Sequence, residues 1–385
     1  MQQVRDTDVF IAGGGPAGLA AAIVARRHGL RVLVADRDVA PIDKACGEGL
    51  MPDSLEVLHR LGVSLEKYET GTFRGIRFVG PENSVSADFP SGHGSGIRRV
   101  LLHQALIAEA EAAGAETLWR TRIRFGPGSR VEADGAEVRC KWLIGADGQN
   151  STVRPWAGLD AGHVQSQRIG LRQHFRVRPW SEFVEIYWAD SGQAYVTPVG
   201  RNEVCVALIS RERYQSFAAG LAQFPKLAVR LAGGLPSTQV RGALTIARRL
   251  KTVASSRVAL IGEASGSVDA ITGEGLALAF RQALALGEAM TAGDLSPYQA
   301  AHRRIMSLPA FMSRSMLLMD AHPWLRRQSL RAFAARPKLF ERLLGVHVGE
   351  TPLATFASSS ILDMGWHMMT ARAVPSPEVI AHEVR

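Results

Sequence analysis

Three glycines near the start of the chain have the spacing of a dinucleotide-binding turn. Gly13, Gly15 and Gly18 follow the pattern G-x-G-x-x-G directly after an apolar run. In such a turn the first glycine permits a tight bend, the second lets the backbone approach a pyrophosphate, and the third lets a helix pack closely on a strand. Asp36, further along, is placed to accept hydrogen bonds from a ribose diol. The chemistry indicated is the binding of NAD or FAD, and this motif alone does not choose between them.

The elements that would hold these glycines form a β-α-β unit. Residues 9–12 are apolar, as expected of a parallel strand that is covered on both faces. Leu19 to His28 predicts a helix whose N-terminal amides and positive dipole end face the phosphates. Arg31 to Ala35 predicts the second strand, which Asp36 ends. Strand, glycines, helix, strand and acid in this order are much more specific than the glycine spacing alone.

The composition excludes several other classes of protein. Of the 385 residues 46% are hydrophobic, and no uninterrupted apolar run approaches the length of a membrane-spanning helix. The N-terminus lacks the pattern of a secretory leader, so we expect a cytoplasmic protein. Three cysteines, Cys46, Cys140 and Cys205, are too few and too scattered for a disulfide framework or a metal cluster, and we expect no metal site. We find no clustered basic stripe or recognisable module for nucleic acid, and expect no such partner.

Much of the net charge of +9 lies late in the chain. Nine Arg or Lys residues occur between Arg303 and Arg342, against the two acids Asp320 and Glu341, and aromatic and methionine residues are interspersed. Two interpretations remain open. The favoured one is a set of helices packed on the core with solvated arginine faces. The other is a peripheral contact with an anionic membrane surface through residues 303–342.

The patterning along the chain predicts an α/β fold. Four strand-like segments without intervening helices indicate an antiparallel sheet: Leu171–Val177, Phe183–Trp188, Ala194–Val199 and Val204–Ile209. We therefore expect a Rossmann-like nucleotide-binding lobe interrupted by an antiparallel β-sheet substrate lobe and followed by a helical C-terminus. The expected boundaries are 1–70, 95–165 and 250–295 for the first lobe, 71–94 and 166–249 for the second, and 296–385 for the helical region.

Two later motifs identify the dinucleotide. Residues 145–154 read Gly-Ala-Asp-Gly-Gln-Asn-Ser-Thr-Val-Arg, and residues 260–279 contain Gly262-Glu263 and Thr272-Gly273-Glu274-Gly275. With the N-terminal glycines, this ordered trio resembles the single-component flavoproteins of the p-hydroxybenzoate hydroxylase fold. Within them the geranylgeranyl reductase and flavin-dependent halogenase branch is the most similar. The resemblance covers roughly residues 5–295 and implies FAD as the cofactor.

The resemblance also implies roles for individual residues. The acid after Gly262 would contact the ribityl chain, and the amides of residues 273–275 would lie beside the flavin's pyrimidine edge. Arg99, or its neighbour Arg98, would lie near the phosphate or the ribityl region, and residues 44–49 would run along the isoalloxazine. The residues expected to bind the cofactor are Gly13, Gly15, Pro16, Ala17, Gly18, Asp36, Arg37, Lys44, Cys46, Gly47, Arg99, Asp147, Gly148, Gly262, Glu263, Gly273, Glu274 and Gly275.

Some positions depart from the family pattern or allow two interpretations. Glu263 stands where aspartate is usual, and Ala270 stands where a proline usually precedes the flavin turn. The halogenase pattern Trp-x-Trp-x-Ile-Pro is absent, which counts against halogenation. Cys46 is interpreted as a small residue packed on the ring rather than a redox partner, because no second cysteine is near in sequence. Glu48 and Glu274 lie in Gly-Glu-Gly triplets and are expected to face solvent, with proton delivery as the alternative.

The reaction itself is less defined by the sequence than the cofactor is. The antiparallel sheet is expected to cover the flavin, with the pocket candidates Tyr195, Thr197, His174, Arg172 and Tyr187; no catalytic residue is assigned. We expect a monooxygenase that uses reduced flavin and O2 to hydroxylate a hydrophobic aromatic or polyketide-like molecule. The alternative is reduction of prenyl double bonds, which the Lys-x-Cys-Gly and Thr-Gly-Glu-Gly residues favour. A halogenase and a non-catalytic flavin-binding protein rank lower. Because no second nucleotide motif is present, NAD(P)H acting transiently or an external donor is expected as the reductant.

Overall fold

The computed structural model describes residues 4–127 and 130–370. In chain order its strands are β1 (Val4–Ala12), β2 (Val32–Ala35), β3 (Gly49–Leu50), β4 (Gly71–Phe73), β5 (Gly75–Val79), β6 (Ser84–Asp88), β7 (Gly94–Gly96), β8 (Glu116–Leu118), β9 (Ile123–Phe125), β10 (Val131–Ala133), β11 (Ala136–Gly145), β12 (Gly162–Arg176), β13 (Phe183–Ala189), β14 (Gly192–Gly200), β15 (Glu203–Ser210), β16 (Leu235–Pro236), β17 (Arg241–Leu250) and β18 (Val258–Leu260). Its helices are α1 (Pro16–Arg27), α2 (Pro52–Arg60), α3 (Arg99–Ala112), α4 (Val153–Trp156), α5 (Phe217–Leu221), α6 (Pro225–Arg230), α7 (Gly275–Ala292), α8 (Ser296–Ala321), α9 (Pro323–Ala335), α10 (Pro337–His347) and α11 (Leu353–Thr370).

The first sheet carries the N-terminal glycine turn. Its order is β8-β2-β1-β11-β10-β9, and β18 also pairs with β11. The strands β8, β2, β1, β11 and β18 are parallel, whereas β9 and β10 are antiparallel. Residues 9–12 of β1 are fully buried, since Val9 and Ile11 pack in the cluster that includes α1 and α7 and Phe10 and Ala12 pack on the other face. The sequence expectation of a strand covered on both faces is confirmed.

Helix α1 begins earlier than its apolar pattern predicted. It starts at Pro16, which occupies the first helical turn, rather than at Leu19. Proline is well suited to this position because it lacks the amide hydrogen that would have no partner there. The helix ends at Arg27, and Gly29 follows with φ +79°, a left-handed conformation that glycine adopts without strain.

The second sheet lies over the first lobe. Its order is β16-β12-β15-β14-β13-β5-β6, with β17 paired to β12. The four predicted segments lie in β12, β13, β14 and β15, whose mutual pairings are antiparallel as expected, whereas β5 pairs with β13 in parallel. No hairpin joins these two strands, which are separated by most of the first lobe, so their relative direction is not set by a tight turn. Strand β17 was not predicted, and β12 begins at Gly162 rather than near Leu171.

A buried arginine ties this sheet to the parts of the chain that follow it. Arg168 of β12 lies 3.3 Å from Asp269 and 3.8 Å from Asp320 of α8. Asp269 also accepts a hydrogen bond of 3.1 Å from the amide of Ile271, and thereby caps the short 3₁₀ turn Ala270–Thr272. The described part of the C-terminal region is helical as expected; residues 371–385 of that prediction lie outside the described residues.

Candidate functional site

The three N-terminal glycines differ in the contacts that a side-chain Cβ would make at each position. A Cβ on Gly13, which has φ +113°, would lie 2.3 Å from the carbonyl oxygen of Ala146, and one on Gly18 would lie 1.9 Å from that of Gly13. These two glycines are therefore required by packing alone. A Cβ on Gly15 would meet no described atom within 4 Å. Gly15 is also the N-cap of α1 and supplies no side-chain cap, so it opens onto unpaired helix amides that suit a phosphate.

Asp36 and His103 fix the shape of the glycine turn. The Asp36 carboxylate accepts a hydrogen bond of 2.6 Å from the amide of Gly14, and burial raises its pKa. His103 of α3 accepts a hydrogen bond of 3.2 Å from the amide of Ile42 through Nδ1, so its Nε2–H donates to the carbonyl of Gly14 at 2.7 Å. Burial lowers the pKa of His103 to about 4, which keeps the ring neutral. No motif or spacing in the sequence distinguishes this histidine.

Several expected cofactor residues meet although they are far apart in sequence. Lys44 Nζ lies 2.5 Å from Glu263 Oε2, and a Cβ added to Gly148 would lie 3.9 Å from the same carboxylate oxygen. Asp147 accepts hydrogen bonds at the start of α4 through Oδ2, while its buried Oδ1 has no partner among the described residues. Glu263, one methylene longer than the usual aspartate, is thus held by Lys44 at the rim of the site.

The late turn combines close packing with open space. Gly262 has φ +62°, and a Cβ there would lie 2.7 Å from the Cβ of Ala17 in α1. Cβ atoms on Gly273 or Gly275 would meet no described atom within 4 Å. Helix α7 begins at Gly275 without a side-chain cap, so its first amides face this open space. A flat ring can approach the backbone here, and the helix dipole would stabilise negative charge on it.

Glu274 does not face solvent, contrary to the sequence expectation. It is buried, and burial raises its pKa. Its Oε2 lies 3.8 Å from Nδ1 of His347 in α10, and His347 Nε2 is 3.2 Å from the carbonyl oxygen of Thr272. Helix α10 therefore contacts the turn at residues 272–274. No local sequence pattern predicted this contact.

Glu48 is likewise buried, with 2% of its surface exposed, and the expectation of a solvent-facing side chain was wrong. Its backbone has φ +60°, which is unusual for a residue other than glycine and costs roughly 1–3 kcal/mol. Its Oε1 accepts a hydrogen bond of 2.9 Å from the amide of Arg99. Its Oε2 lies 2.6 Å from Nε2 of His174 in β12. Glu48, in this strained backbone conformation, is therefore hydrogen-bonded both to Arg99 of the first lobe and to His174 of the second.

The geometry assigns the protonation of His174. Its Nδ1 lies 3.2 Å from Nη1 of Arg172, which can only donate, so Nδ1 accepts and Nε2–H donates to Glu48. Thr238 Oγ1 is 2.9 Å from the same Nδ1. Arg172 also pairs with Asp43, which in turn contacts the exposed Arg241 at 3.2 Å. The polar network therefore runs from the buried Glu48 to the protein surface.

Cys205 is close to this network. The ligand atoms of Glu48, His174 and Cys205 lie within 4.8 Å of one another. The guanidinium of Arg172 lies 3.8 Å from Glu48 and supplies positive charge there. Burial raises the pKa of the Cys205 thiol well above its usual value, which disfavours the thiolate that a metal needs. The Cys205 thiol contacts the carbonyl of Cys46 at 3.6 Å, so a second cysteine is near Cys46 in space although none is near in sequence.

Strand β14 is hydrogen-bonded to two loops of the first lobe, one at Gly47 and one at Ile271. Thr197 donates a hydrogen bond of 2.8 Å to the carbonyl of Gly47, and Tyr195 donates one of 2.7 Å to that of Ile271. Burial raises the pKa of Tyr195, so it stays a donor. Four of the five pocket candidates, Tyr195, Thr197, His174 and Arg172, therefore hold the loops of the first lobe. The fifth, Tyr187, lies on the opposite face of the sheet with Val196 and Phe217 and is hydrogen-bonded to Glu185.

The remaining arginine candidates are placed differently from one another. Arg98 points towards Glu203 of β15, at 3.9 Å. Arg99 has a buried Nε with no partner among the described residues, and so keeps a donor for a ligand. Arg37 is largely exposed beside Asp38.

Comparison with known proteins identifies the cofactor. The sequence family described as "FAD binding domain" matches residues 6–293. The chain belongs to this family. The open glycines, the uncapped helix amides and the orphaned donor of Arg99 fit FAD, and the protein is a FAD-dependent oxidoreductase.

Three curated relatives indicate the range of reactions in its neighbourhood. The menaquinone reductase of Mycobacterium tuberculosis strain H37Rv is 29% identical over 316 residues, which are 75% of this chain and 78% of the relative. The digeranylgeranylglycerophospholipid reductase of Thermoplasma volcanium is 27% identical, covering 75% of this chain and 80% of the relative. The rifampicin monooxygenase of Streptomyces venezuelae is 34% identical over 165 residues, 40% of this chain and 34% of the relative.

A solved structure confirms the fold. The flavoprotein/dehydrogenase from Cytophaga hutchinsonii superposes with a TM-score of 0.79 at 18% identity, covering 94% of this chain and all of the other. The α/β fold with its interrupted Rossmann-like lobe, β-sheet lobe and helical C-terminus is that of flavin-dependent oxidoreductases. Within the described residues, no helix is long and apolar enough to cross a bilayer.

Proposed function

We propose that this oxidoreductase reduces carbon–carbon double bonds of an isoprenoid lipid. The observation that carries the proposal is the buried pair of Glu48, which follows the open Gly47, and His174 of β12, with 2.6 Å between Oε2 and Nε2. Relatives named as reductases of menaquinone and of digeranylgeranylglycerophospholipid match three quarters of the chain and support this order of preference. Monooxygenation, which the sequence alone placed first, becomes the second candidate.

Reduction of a double bond needs a hydride and a proton. FAD, when bound and reduced, supplies the hydride, and the protein must supply the proton and keep water out. Glu48 as a carboxylate and His174 as a neutral ring can take up one proton together. Arg172, which pairs with Asp43, stays protonated and only donates, so it orients His174 and supplies positive charge beside Glu48 rather than carrying a proton. In this proposal the pair takes up a proton from water before the substrate binds and delivers it to one carbon of the double bond, while the hydride goes to the other.

The cofactor would be held by the residues already described. The α1 amides near Gly15 would bind the pyrophosphate, Lys44 and Glu263 would lie by the ribityl chain, and the α7 amides near Gly275 would face the ring. NAD(P)H or an external electron carrier would reduce the flavin. Tyr195 and Thr197 would act as positioning residues, because they hold the two loops rather than touch the reacting atoms.

The proposal is tested with purified protein, FAD, a chemical reductant and an unsaturated polyprenyl quinone or geranylgeranyl lipid under nitrogen. We expect a product with two added hydrogen atoms by mass spectrometry. Glu48→Gln, which keeps the side-chain shape, should slow the reaction about 100-fold or more, the usual contribution of a general acid. Glu185→Gln is the matched control, since Glu185 of β13 is equally buried but lies on the face of the second sheet opposite to His174. Equal rates in both variants would contradict the role of Glu48.

A second candidate, monooxygenation of a hydrophobic aromatic molecule, is favoured by one observation. The rifampicin monooxygenase has the highest identity of the three relatives reported, although over 40% of the chain. The resting pair, Glu48 as carboxylate and His174 neutral, would then accept a proton from a phenol. Consumption of O2 coupled to hydroxylation, with no reduction of polyprenyl lipids under nitrogen, would favour this reaction over the first.

A further inference from the structure

Helix α8 presents a mixed basic and aromatic face to solvent. Arg304, Ser307, Phe311, Arg314 and Leu318 recur every three or four residues and are all exposed, Phe311 by 42% and Leu318 by 53%. This spacing places them on one side of the helix. Phe311 and Leu318 thus leave about half of their surface in water, which is unfavourable for apolar side chains.

The charge of this face is of one sign. Arg303, Arg304, Arg314 and Arg327 are exposed, and none has a carboxylate partner among the described residues. Asp320 is the one acid in the sequence of α8 and α9, and it is buried against Arg168 and Arg211. The two helices therefore offer solvent only positive charge.

Helix α11, which packs on α9 and α10, adds exposed apolar surface to the same helical region. Leu362 is 89% exposed and Trp366 is 62% exposed, and Met369 continues the same stripe. The inner face of α11 carries Phe356, which packs in one buried cluster with Met312 of α8 and Val346 of α10. Trp324, at the start of α9, is 63% exposed. We call the exposed faces of α8 and α11, together with Trp324, the C-terminal surface.

We infer that the C-terminal surface docks the protein on an anionic lipid bilayer. Unpaired arginines are attracted to acidic headgroups, and tryptophan, leucine and phenylalanine insert at the boundary between headgroups and acyl chains. A second copy of the chain is the less suitable occupant, because a two-fold interface would bring the same arginine-rich face against itself. The inference does not depend on the proposed reaction, since docking is measured without substrate.

The test is sedimentation of the FAD-loaded full chain with vesicles of phosphatidylcholine alone or of two parts phosphatidylcholine to one part phosphatidylglycerol. We expect binding to the anionic vesicles only, weakening as salt is raised. Each arginine near an anionic surface contributes roughly fivefold in partitioning, so the triple variant Arg303→Gln, Arg304→Gln, Arg314→Gln should lose roughly a hundredfold. The double variant Leu362→Ser, Trp366→Ser should also bind more weakly.

The control removes the same charge elsewhere. Arg178, Arg213 and Arg249 are exposed and likewise have no carboxylate partner among the described residues, so their triple substitution by Gln should leave vesicle binding within about twofold of the parent. Equal losses in the two triple variants, or no preference of the parent for anionic vesicles, would overturn the inference. So would a dimer in solution that the Leu362 and Trp366 substitutions dissociate while vesicle binding is unchanged. FAD absorbance and melting temperature verify that each variant is folded.

Discussion

Substituting two of the N-terminal glycines by alanine should separate packing from cofactor binding. A Cβ on Gly18 would lie 1.9 Å from the carbonyl oxygen of Gly13, whereas carbon–oxygen contacts lie at roughly 3.3–3.6 Å, so helix and turn must separate by roughly 1.5 Å. Forcing an extra methyl into such a backbone contact costs about 3 kcal/mol. At about 2.1 cal/mol/K per residue, a chain of 385 residues has an unfolding entropy of about 0.8 kcal/mol/K, so Gly18→Ala should lower the melting temperature by roughly 4 °C.

Gly15→Ala is the matched comparison. Gly15 has φ −68° and ψ 176°, which alanine adopts without strain, and its Cβ would enter open space. Stability of the apoprotein should change by no more than about 1 kcal/mol, the usual effect of losing a favourable N-cap residue. The methyl group would instead lie where the pyrophosphate approaches, so FAD affinity should fall at least tenfold, or about 1.4 kcal/mol.

The assay combines thermal unfolding of the apoproteins with titration of FAD followed by quenching of its fluorescence. The reasoning is refuted if Gly15→Ala binds FAD as tightly as the parent, or if Gly18→Ala unfolds at the parent temperature. The two substitutions are three residues apart and add the same methyl group, so a difference between them reports the geometry of the turn.

Three further predictions follow from individual contacts. Burial lowers the pKa of His103, and of His302 in α8, from 6.5 to about 4, so both rings bind a proton less readily in the folded protein than in the unfolded chain. The free energy of unfolding should therefore be highest above pH 6.5 and fall by about 3 kcal/mol for each histidine as the pH is lowered to 4. Urea unfolding at several pH values should show this decrease, and His302→Asn should reduce it. Lys44→Gln should change stability by less than about 1 kcal/mol, because its ion pair is half exposed, but should weaken FAD binding in the same fluorescence titration. Tyr195→Phe leaves the buried carbonyl of Ile271 without its donor and should cost about 1–3 kcal/mol in chemical denaturation; an unchanged midpoint would exclude the hydrogen bond.

The sequence predicted the parts of the site that are built from local patterns. The glycine turn, the parallel strand β1 and the helix α7 depend on neighbouring residues, and the order of the three motifs identified the cofactor. Gly13 was expected to permit a tight bend and Gly18 to permit close helix packing; Gly13 has φ +113°, and a Cβ on Gly18 would lie 1.9 Å from the carbonyl oxygen of Gly13.

What the sequence did not reveal depends on contacts between distant segments. Glu48 and His174 are 126 residues apart and meet only because β12 crosses over the loop before β3. Glu48 and Glu274 were expected to face solvent because flanking glycines are typical of exposed turns, yet each is covered by another part of the chain. His103 carries no motif at all. The spacing of residues along the chain does not determine which strands of the second sheet pair, or in what register. It therefore does not show on which face of the sheet Tyr187 lies.

The central claim is that the buried Glu48–His174 pair serves reduction of a double bond. The most direct measurement divides one reaction of reduced protein and unsaturated polyprenyl lipid into a portion under nitrogen and a portion under isotopically labelled O2. The account predicts the same product in both, with two added hydrogen atoms and no labelled oxygen, and a slower rate for Glu48→Gln but not for Glu185→Gln. A product that forms only with O2 and carries the label would contradict it.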